Sequence, residues 1–306
     1  MLQLKQLAQR VLDEGKPVKR RNGTVIRKFA DQIRFDLADG YPAPTAKKLA
    51  FRSMIGELLW FMNGETRLSE LKYRSVLKEN DWTIWTDDLA KYNKRLESVD
   101  IPELYQSYPD DLGYIYGALW RRMAVADSSQ DDNIAIIDQL GNVIEKIKEV
   151  KENPESPYAS RLRVTAWDPE YVTEEAGLLG ALPTCHVGYQ FTVDGDRLHL
   201  VWEQRSVDLF LGLPFNVASY AALLIIVAQI VGLKPGQLVG NLVDVHIYEN
   251  HLDAVKQYLA NPTHPLPRLV IPDTIKSLDD LTHLNANDFY LEDYKHEGVI
   301  KAKLST

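Results

Sequence analysis

The spacing of hydrophobic positions changes along this chain, and the changes mark its elements. Leu4, Leu7, Val11 and Leu12 recur at helical spacing, and Gly15 ends the run. Lys28–Asp36 (KFADQIRFD) reads as a strand, followed by a turn at Asp39-Gly40. Thr45 is placed to cap a helix through Lys47–Phe61 that stops at Asn63-Gly64, and Ser69–Lys78 reads as a shorter helix. Helical spacing returns over Asp132–Val150, where Ile134, Ile137, Leu140, Ile144 and Ile147 share a face. Arg161–Trp167 reads as a strand. Cys185–Val193 and Leu198–Gln204 are two more, joined through Asp194-Gly195-Asp196-Arg197 as a hairpin. Leu238–Tyr248 reads as a strand and His251–Leu259 as a helix, and the tail alternates Pro-rich loop with short strands.

One run is apolar all round: Val217–Leu233 (VASYAALLIIVAQIVGL). It is slightly short for a membrane span and is interrupted by Ser219, Tyr220 and Gln229. A polar, chemistry-rich stretch precedes it and Lys234-Pro235-Gly236 follows as a turn, so the expectation is a core helix with no membrane role. Asp87–Leu112 is polar and rich in Pro and Tyr, and reads as a surface insertion of loop and short helix. Strands and helices of uneven length without regular βαβ alternation give an α+β class. No composition break marks a linker, so one domain is expected over 1–306.

Composition narrows the picture. The chain has 306 residues, 45% hydrophobic and 25% charged, which suits a globular protein with a large core. A net charge of −8 argues against broad nucleic-acid binding, and no obligatory nucleic-acid partner is expected. A single cysteine excludes an internal disulfide, and the N-terminus shows no signal-peptide apolar block, so a reducing, cytoplasmic setting is expected.

That cysteine, Cys185, lies in Leu182–Tyr220 with His186, Gln204, Arg205, Ser206, Asp208 and Asn216. A lone cysteine is commonly a small core hydrophobe. Here Pro183-Thr184 bring the chain in from a loop, and His186 and Arg205 are placed to favour a nucleophilic thiolate. No Gly-x-Ser-x-Gly elbow, zinc-ligand spacing or Gly-x-x-x-x-Gly-Lys loop is present, and no metal is expected. Arg205-Ser206 at a strand end suits a phosphate or, more plainly, a surface ion pair; Arg21 beside Gly23 is a second phosphate candidate. Asn216 offers the donor and acceptor that a uracil-like edge needs, or it caps a helix beginning at Val217. Glu57 is flanked by apolar residues, which raises a carboxyl pKa towards neutrality unless the position is exposed. His246 and Tyr248 face the same way along one strand with Asp244, either towards a sugar hydroxyl or as a core pair. Trp82 and Trp85 offer an aromatic wall, and Tyr116 a buried phenol.

Taken together, these residues resemble the thymidylate synthase family over nearly the whole chain. The matching pieces include Arg21-Asn22-Gly23-Thr24, Gly56-Glu57-Leu58-Leu59-Trp60-Phe61, Thr83-Ile84-Trp85, Ile115-Tyr116-Gly117 and Val164-Thr165-Ala166-Trp167. They continue with Cys185-His186, Gln204-Arg205-Ser206-Val207-Asp208, Leu211-Gly212-Leu213-Pro214-Phe215-Asn216-Val217-Ala218-Ser219-Tyr220, Asp244-Val245-His246-Ile247-Tyr248 and Ile300-Lys301-Ala302. The resemblance implies a mixed sheet flanked by helices around a long buried central helix, and a homodimer that uses dUMP and 5,10-methylenetetrahydrofolate. By match, Cys185 attacks C6 of the uracil ring, Asn216 holds its O4/N3 edge, and Glu57, His186, Tyr116 and Asp208 serve the proton transfers and assembly of the site. Arg21, Arg205, Ser206 and Gln204 belong to the nucleotide site, with Arg161 arriving from the partner subunit and His246 and Tyr248 on the deoxyribose. Trp85, Asp208, Gly212 and Lys47 lie along the folate.

The chain departs from the family pattern at four places. Ser160-Arg161 stands where two arginines are usual, with Arg163 as the candidate substitute. Thr184 replaces the proline before the nucleophile, Val243 replaces a glycine, and the tail ends Lys303-Leu304-Ser305-Thr306 rather than in a small apolar pair. The superfamily also holds hydroxymethylases, in which water rather than hydride captures the C5 methylene. Methylation of dUMP is the leading expectation, hydroxymethylation of dUMP the alternative, and a non-catalytic nucleotide-binding homologue the third reading.

Overall fold

The computed structural model describes residues 1–97, 108–126, 134–173 and 176–304. In chain order the elements are α1 (Leu2–Glu14), β1 (Lys16–Arg20), β2 (Gly23–Asp36), α2 (Phe51–Met62), α3 (Leu68–Arg74), α4 (Thr86–Leu96) and α5 (Tyr116–Arg121). They continue with β3 (Met123–Ala126), β4 (Ile134–Ile137), α6 (Gln139–Glu152), β5 (Arg163–Thr165), α7 (Ala176–Leu179), β6 (His186–Asp194), β7 (Arg197–Gln204) and β8 (Val207–Asp208). The last are α8 (Gly212–Val231), β9 (Lys234–Tyr248), α9 (Leu252–Ala260), β10 (Arg268–Val270) and β11 (Tyr290–Glu292).

A seven-stranded mixed sheet runs β1-β2-β9-β7-β6-β5, with the short β8 also paired to β9. β9 pairs antiparallel with β2 and parallel with β7 and β8. Alternate residues of each strand therefore divide between two faces. Leu238 and Leu242 of β9, Leu198, Leu200 and Trp202 of β7, and Tyr189 and Phe191 of β6 are buried. The intervening Val239, Asn241, Val201, Glu203 and Gln190 stay half-exposed on the other face. α8 lies on the buried face. Its sequence is apolar on every side, as a helix buried all round requires, and the span long and apolar enough to cross a membrane is the core of this fold. Tyr220 of α8 stacks on Trp202 with ring centroids 5.3 Å apart and planes 13° from parallel. Gly240 in β9 makes room for that indole: a Cβ there would sit 2.3 Å from the Trp202 ring.

Several expectations need correction. Thr45 caps no helix, because α2 begins only at Phe51. Residues 41–50 contain Pro42 and Pro44, and their backbone finds partners far away: Tyr41 N donates to Pro267 O (2.8 Å) and Lys48 N to Gly298 O (2.6 Å). The Thr45 hydroxyl instead accepts from His264 N at 3.1 Å. The second helix stops at Arg74 rather than Lys78, with Val76 at φ 58°. Ile134 and Ile137 lie on strand β4, and α6 starts after them, capped by Asp138 accepting from Gly141 N at 2.9 Å. The strand expected over Arg161–Trp167 is confined to Arg163–Thr165. Gly15 ends α1 in an extended conformation, with φ −72°. Lys234-Pro235-Gly236 opens β9 instead of forming a turn; the chain reverses at Gly232, at φ 66°. The β6–β7 hairpin forms as the sequence predicts, with Asp194 opposite Arg197. The expected insertion contributes α4, and its residues 98–107 lie outside the described residues, as do Asp132 and the final Ser305-Thr306.

Candidate functional site

Cys185 sits just before β6, where the loop carrying Pro183 and Thr184 enters the sheet. Three contacts fix it. The Tyr116 hydroxyl oxygen accepts from the Cys185 amide at 2.8 Å and the His186 amide at 3.3 Å, and the Cys185 carbonyl accepts from Arg205 N at 2.9 Å. Burial raises the Cys185 pKa, the nearby Arg205 guanidinium lowers it, and Asp88 raises it. Burial also pushes His186 down to about 4, against a hydrogen bond with Asn216 that pulls it up. The imidazole is therefore neutral near pH 7, and the expectation that His186 favours a thiolate does not hold; Arg205 is the group that does. Arg205 itself is partly committed: Nε donates to Thr184 O (2.8 Å) and Nη2 to Pro183 O (3.0 Å), with the guanidinium 5.4 Å from the Trp167 ring centroid. It braces the loop that leads into Cys185.

Asn216 lies inside α8, which begins four residues earlier at Gly212, so it is not the helix cap. Its orientation is set by a relay that starts at a donor-only group. Trp202 Nε1–H donates to Gln204 Oε1 at 3.2 Å. Gln204 Nε2 must then face away, and it donates to Ser206 O (3.0 Å) and Asn216 Oδ1 (3.1 Å). Asn216 is left with its Nδ2 hydrogens to offer, since Oδ1 also takes a hydrogen bond from His186.

Glu57 is buried in α2 among Trp60, Phe61 and Leu58. Burial raises its pKa to about 7, although Trp85 Nε1–H donates to Oε1 at 2.6 Å and opposes the rise. Trp85 continues the packing: its ring lies 5.4 Å from Trp60 and 6.3 Å from Tyr116. Glu57 is thus joined through aromatic contacts to the phenol that holds Cys185. Trp82 is 55% exposed and stands apart from this cluster.

β8 beside β9 supplies the remaining side. The register puts Asp208 opposite His246, and the His246 and Tyr248 rings lie 5.2 Å apart, edge to face. Burial raises the Tyr248 pKa, with Asp208 and Cys185 adding to the rise and Arg20 and Arg21 opposing it, so all four groups lie within electrostatic reach of one phenol. Asp208 Oδ1 accepts from Phe210 N (3.0 Å) and Leu211 N (3.2 Å). Lys47 is buried, donates to the Phe210 carbonyl, and lies 4.0 Å from that ring's centroid; burial lowers its pKa to about 8 against the pull of Asp208. At Gly212 a Cβ would sit in ordinary van der Waals contact with Asp208 Cβ (3.6 Å) and Asn216 Oδ1 (3.7 Å), which places Gly212 against both residues.

Cys185, Tyr116, His186, Asn216, Gln204, Glu57, Trp85 and Arg205 therefore share contacts directly, with Asp208, His246 and Tyr248 adjoining. Arg21 is exposed, with Nε on Asn22 Oδ1 at 3.1 Å, and Arg161 is exposed. Ser206 is half-buried and gives its carbonyl to Gln204. Arg163 is paired with Glu203 at 2.6 Å on the half-exposed sheet face. Sequence reasoning missed Trp202, which orients the amide relay, and Arg20, which pairs with Asp244; Asp244 Oδ1 in turn lies 3.3 Å from His246 Nδ1. Arg20 had a signal, its place beside Arg21. Among the described residues no cluster of three or more His, Cys, Asp or Glu side chains could hold a metal ion. A model of the family described as thymidylate synthase matches residues 2–306.

Proposed function

We propose that this chain, which belongs to the thymidylate synthase family, methylates dUMP to dTMP with 5,10-methylenetetrahydrofolate. The amide relay carries the choice of base. With Asn216 Oδ1 turned to Gln204, its Nδ2–H is the group free to donate to O4 of uracil, and Oδ1 accepts from N3–H in place of its bond with His186. Cytosine presents an amino donor and a bare nitrogen at those positions and mismatches both.

The Cys185 thiol gives its proton to solvent water beside Arg205, and the sulfur bonds to C6 of the ring as the C5–C6 π pair moves towards C5 and O4. Negative charge then spreads to O4, where Asn216 Nδ2–H meets it. Tyr116, whose hydroxyl oxygen is held by the Cys185 and His186 amides, relays the C5 proton in this scheme. Glu57, balanced near neutrality, exchanges protons on the opposite edge. Arg21, Arg205 and Ser206 take the phosphate, with Arg161 from the partner subunit, and His246 and Tyr248 take the deoxyribose. When bound, the folate would supply the one-carbon unit to C5 and the hydride that completes the methyl group, and the C6–S bond then breaks to return the Cys185 thiolate with the product. The residues present fit the folate: the Phe210 and Leu211 amides hold Asp208 Oδ1, which leaves Oδ2 for the N–H donors of a pterin beside Gly212, with Trp85 on the Glu57 side. Lys47 supports that site by bracing the Phe210 carbonyl. A homodimer through the half-exposed sheet face is consistent with Val201, Val239 and Asn241 lying there and with the exposure of Arg161.

Equilibrium binding of dUMP and dCMP tests the reading. We expect dUMP to bind at least about a hundredfold more tightly, the size of two mismatched hydrogen bonds. Equal binding of the two nucleotides contradicts it.

A further inference from the structure

His251 has no role in the scheme above, yet it sits at the meeting point of three segments. It ends the short 3-10 turn Glu249–His251 and is fully buried, with 0% exposure. Nε2 lies 2.8 Å from the backbone carbonyl of Lys303. A carbonyl only accepts, so Nε2 carries a proton. In the neutral ring Nδ1 then holds a lone pair. That atom has no hydrogen-bond partner among the described residues, and it lies 3.9 Å from Asp208 Oδ1. The ring is flanked by Phe210 at 5.8 Å and Tyr248 at 5.4 Å, centroid to centroid.

A histidine serving only to fill space is a poor choice here. A buried acceptor without a donor is costly, and an apolar ring of similar volume avoids the cost. What an apolar ring lacks is the Nε2–H bond to Lys303. The position therefore exchanges stability for a directional tie between the C-terminal segment and the loop carrying Asp208.

We propose that His251 is a positioning residue. Through Nε2–H and Lys303 O it holds the C-terminal segment against Asp208, Phe210 and Tyr248, and so sets the folate side of the site. The assignment rests on the reading that Asp208 faces the folate.

Two readouts on His251→Gln, His251→Ala and His251→Leu test it. The Gln amide nitrogen can occupy the place of Nε2; Ala and Leu have no donor. The first readout is trypsin cleavage after Lys301 and Lys303, followed by mass. Ala and Leu should speed it about tenfold, the size of one buried hydrogen bond, and Gln should restore resistance. The second is steady-state kinetics, where Ala and Leu should raise KM for methylenetetrahydrofolate more than they lower kcat, and more than they raise KM for dUMP. Equal cleavage in all four proteins overturns the proposal, as does Gln behaving like Ala. Loosening of sites throughout the chain in both Ala and Leu also overturns it, since His251 is then a core residue only. If the parent protein has no turnover, the reading of the reaction fails, while the cleavage comparison still decides the role of His251.

Discussion

The Thr184 hydroxyl donates to the carbonyl of Ala166 at 2.5 Å, at a position with no exposure to solvent. Ala166 follows β5 and Thr184 precedes Cys185, so this bond ties the Cys185 loop to the sheet edge. The residue that departs from the family's proline thus has its own means of holding the loop, alongside Arg205 on the Thr184 and Pro183 carbonyls. Thr184→Val keeps the shape and leaves the Ala166 carbonyl unpaired. We expect a loss of about 1–3 kcal/mol in stability and about a tenfold fall in kcat, read by denaturant unfolding and steady-state kinetics. Unchanged kcat with reduced stability would restrict the bond to a structural role.

The relay from Trp202 predicts that Gln204 selects the base without touching it. Gln204→Leu removes the donor to Asn216 Oδ1, so the Asn216 amide is free to turn over. Discrimination between dUMP and dCMP should fall by about tenfold or more, measured as the ratio of dissociation constants. Retained discrimination means that some other group orients Asn216.

Cys185 should titrate above a free cysteine, because burial outweighs Arg205. The rate of iodoacetamide alkylation followed against pH reports the thiolate directly. Arg205→Ala should move the midpoint higher still, since the guanidinium favours the anion. A midpoint below that of a free cysteine would show a thiolate stabilised by groups other than Arg205.

Glu57 carries a stability signature. Its folded pKa, about 7, lies above the ordinary 4.5, so the folded state holds a proton that the unfolded state has released between those values. Stability from this group is fully present below about pH 4.5 and falls as pH rises to about 7. Glu57→Gln removes the dependence. The variant's stability relative to the parent should increase by on the order of 3 kcal/mol across that window and then level off, measured by urea unfolding at a series of pH values. Activity should fall at every pH, because Gln cannot exchange the proton. A flat stability difference would place Glu57 at an ordinary carboxylate pKa.

Legibility in the sequence follows the range of the interactions. The α1 face, the β6–β7 hairpin and the buried central helix declare themselves because periodicity and turn chemistry are local. Residues 41–50 mislead, because the partners that hold them in an irregular path lie at 264–298. Asn216 misleads for a different reason. Gly212-Leu213-Pro214 reads as loop, yet proline in the first helical turn loses no intrahelical bond, so α8 begins before it. In the site, Cys185 and Glu57 are visible by residue type and surroundings. Trp202 and His251 are not, since each matters through one partner distant in sequence or through an alternation shared with ordinary core positions, and Arg20 had only its place beside Arg21.

The most direct measurement is the product itself. Protein, dUMP and methylenetetrahydrofolate are incubated, the nucleotide is identified by mass, and dihydrofolate is followed by absorbance. We expect dTMP with one dihydrofolate formed per turnover, and loss of both in Cys185→Ala. Hydroxymethyl-dUMP without dihydrofolate would contradict this reading, showing that water rather than hydride captures the C5 methylene; absence of either product would contradict it as well.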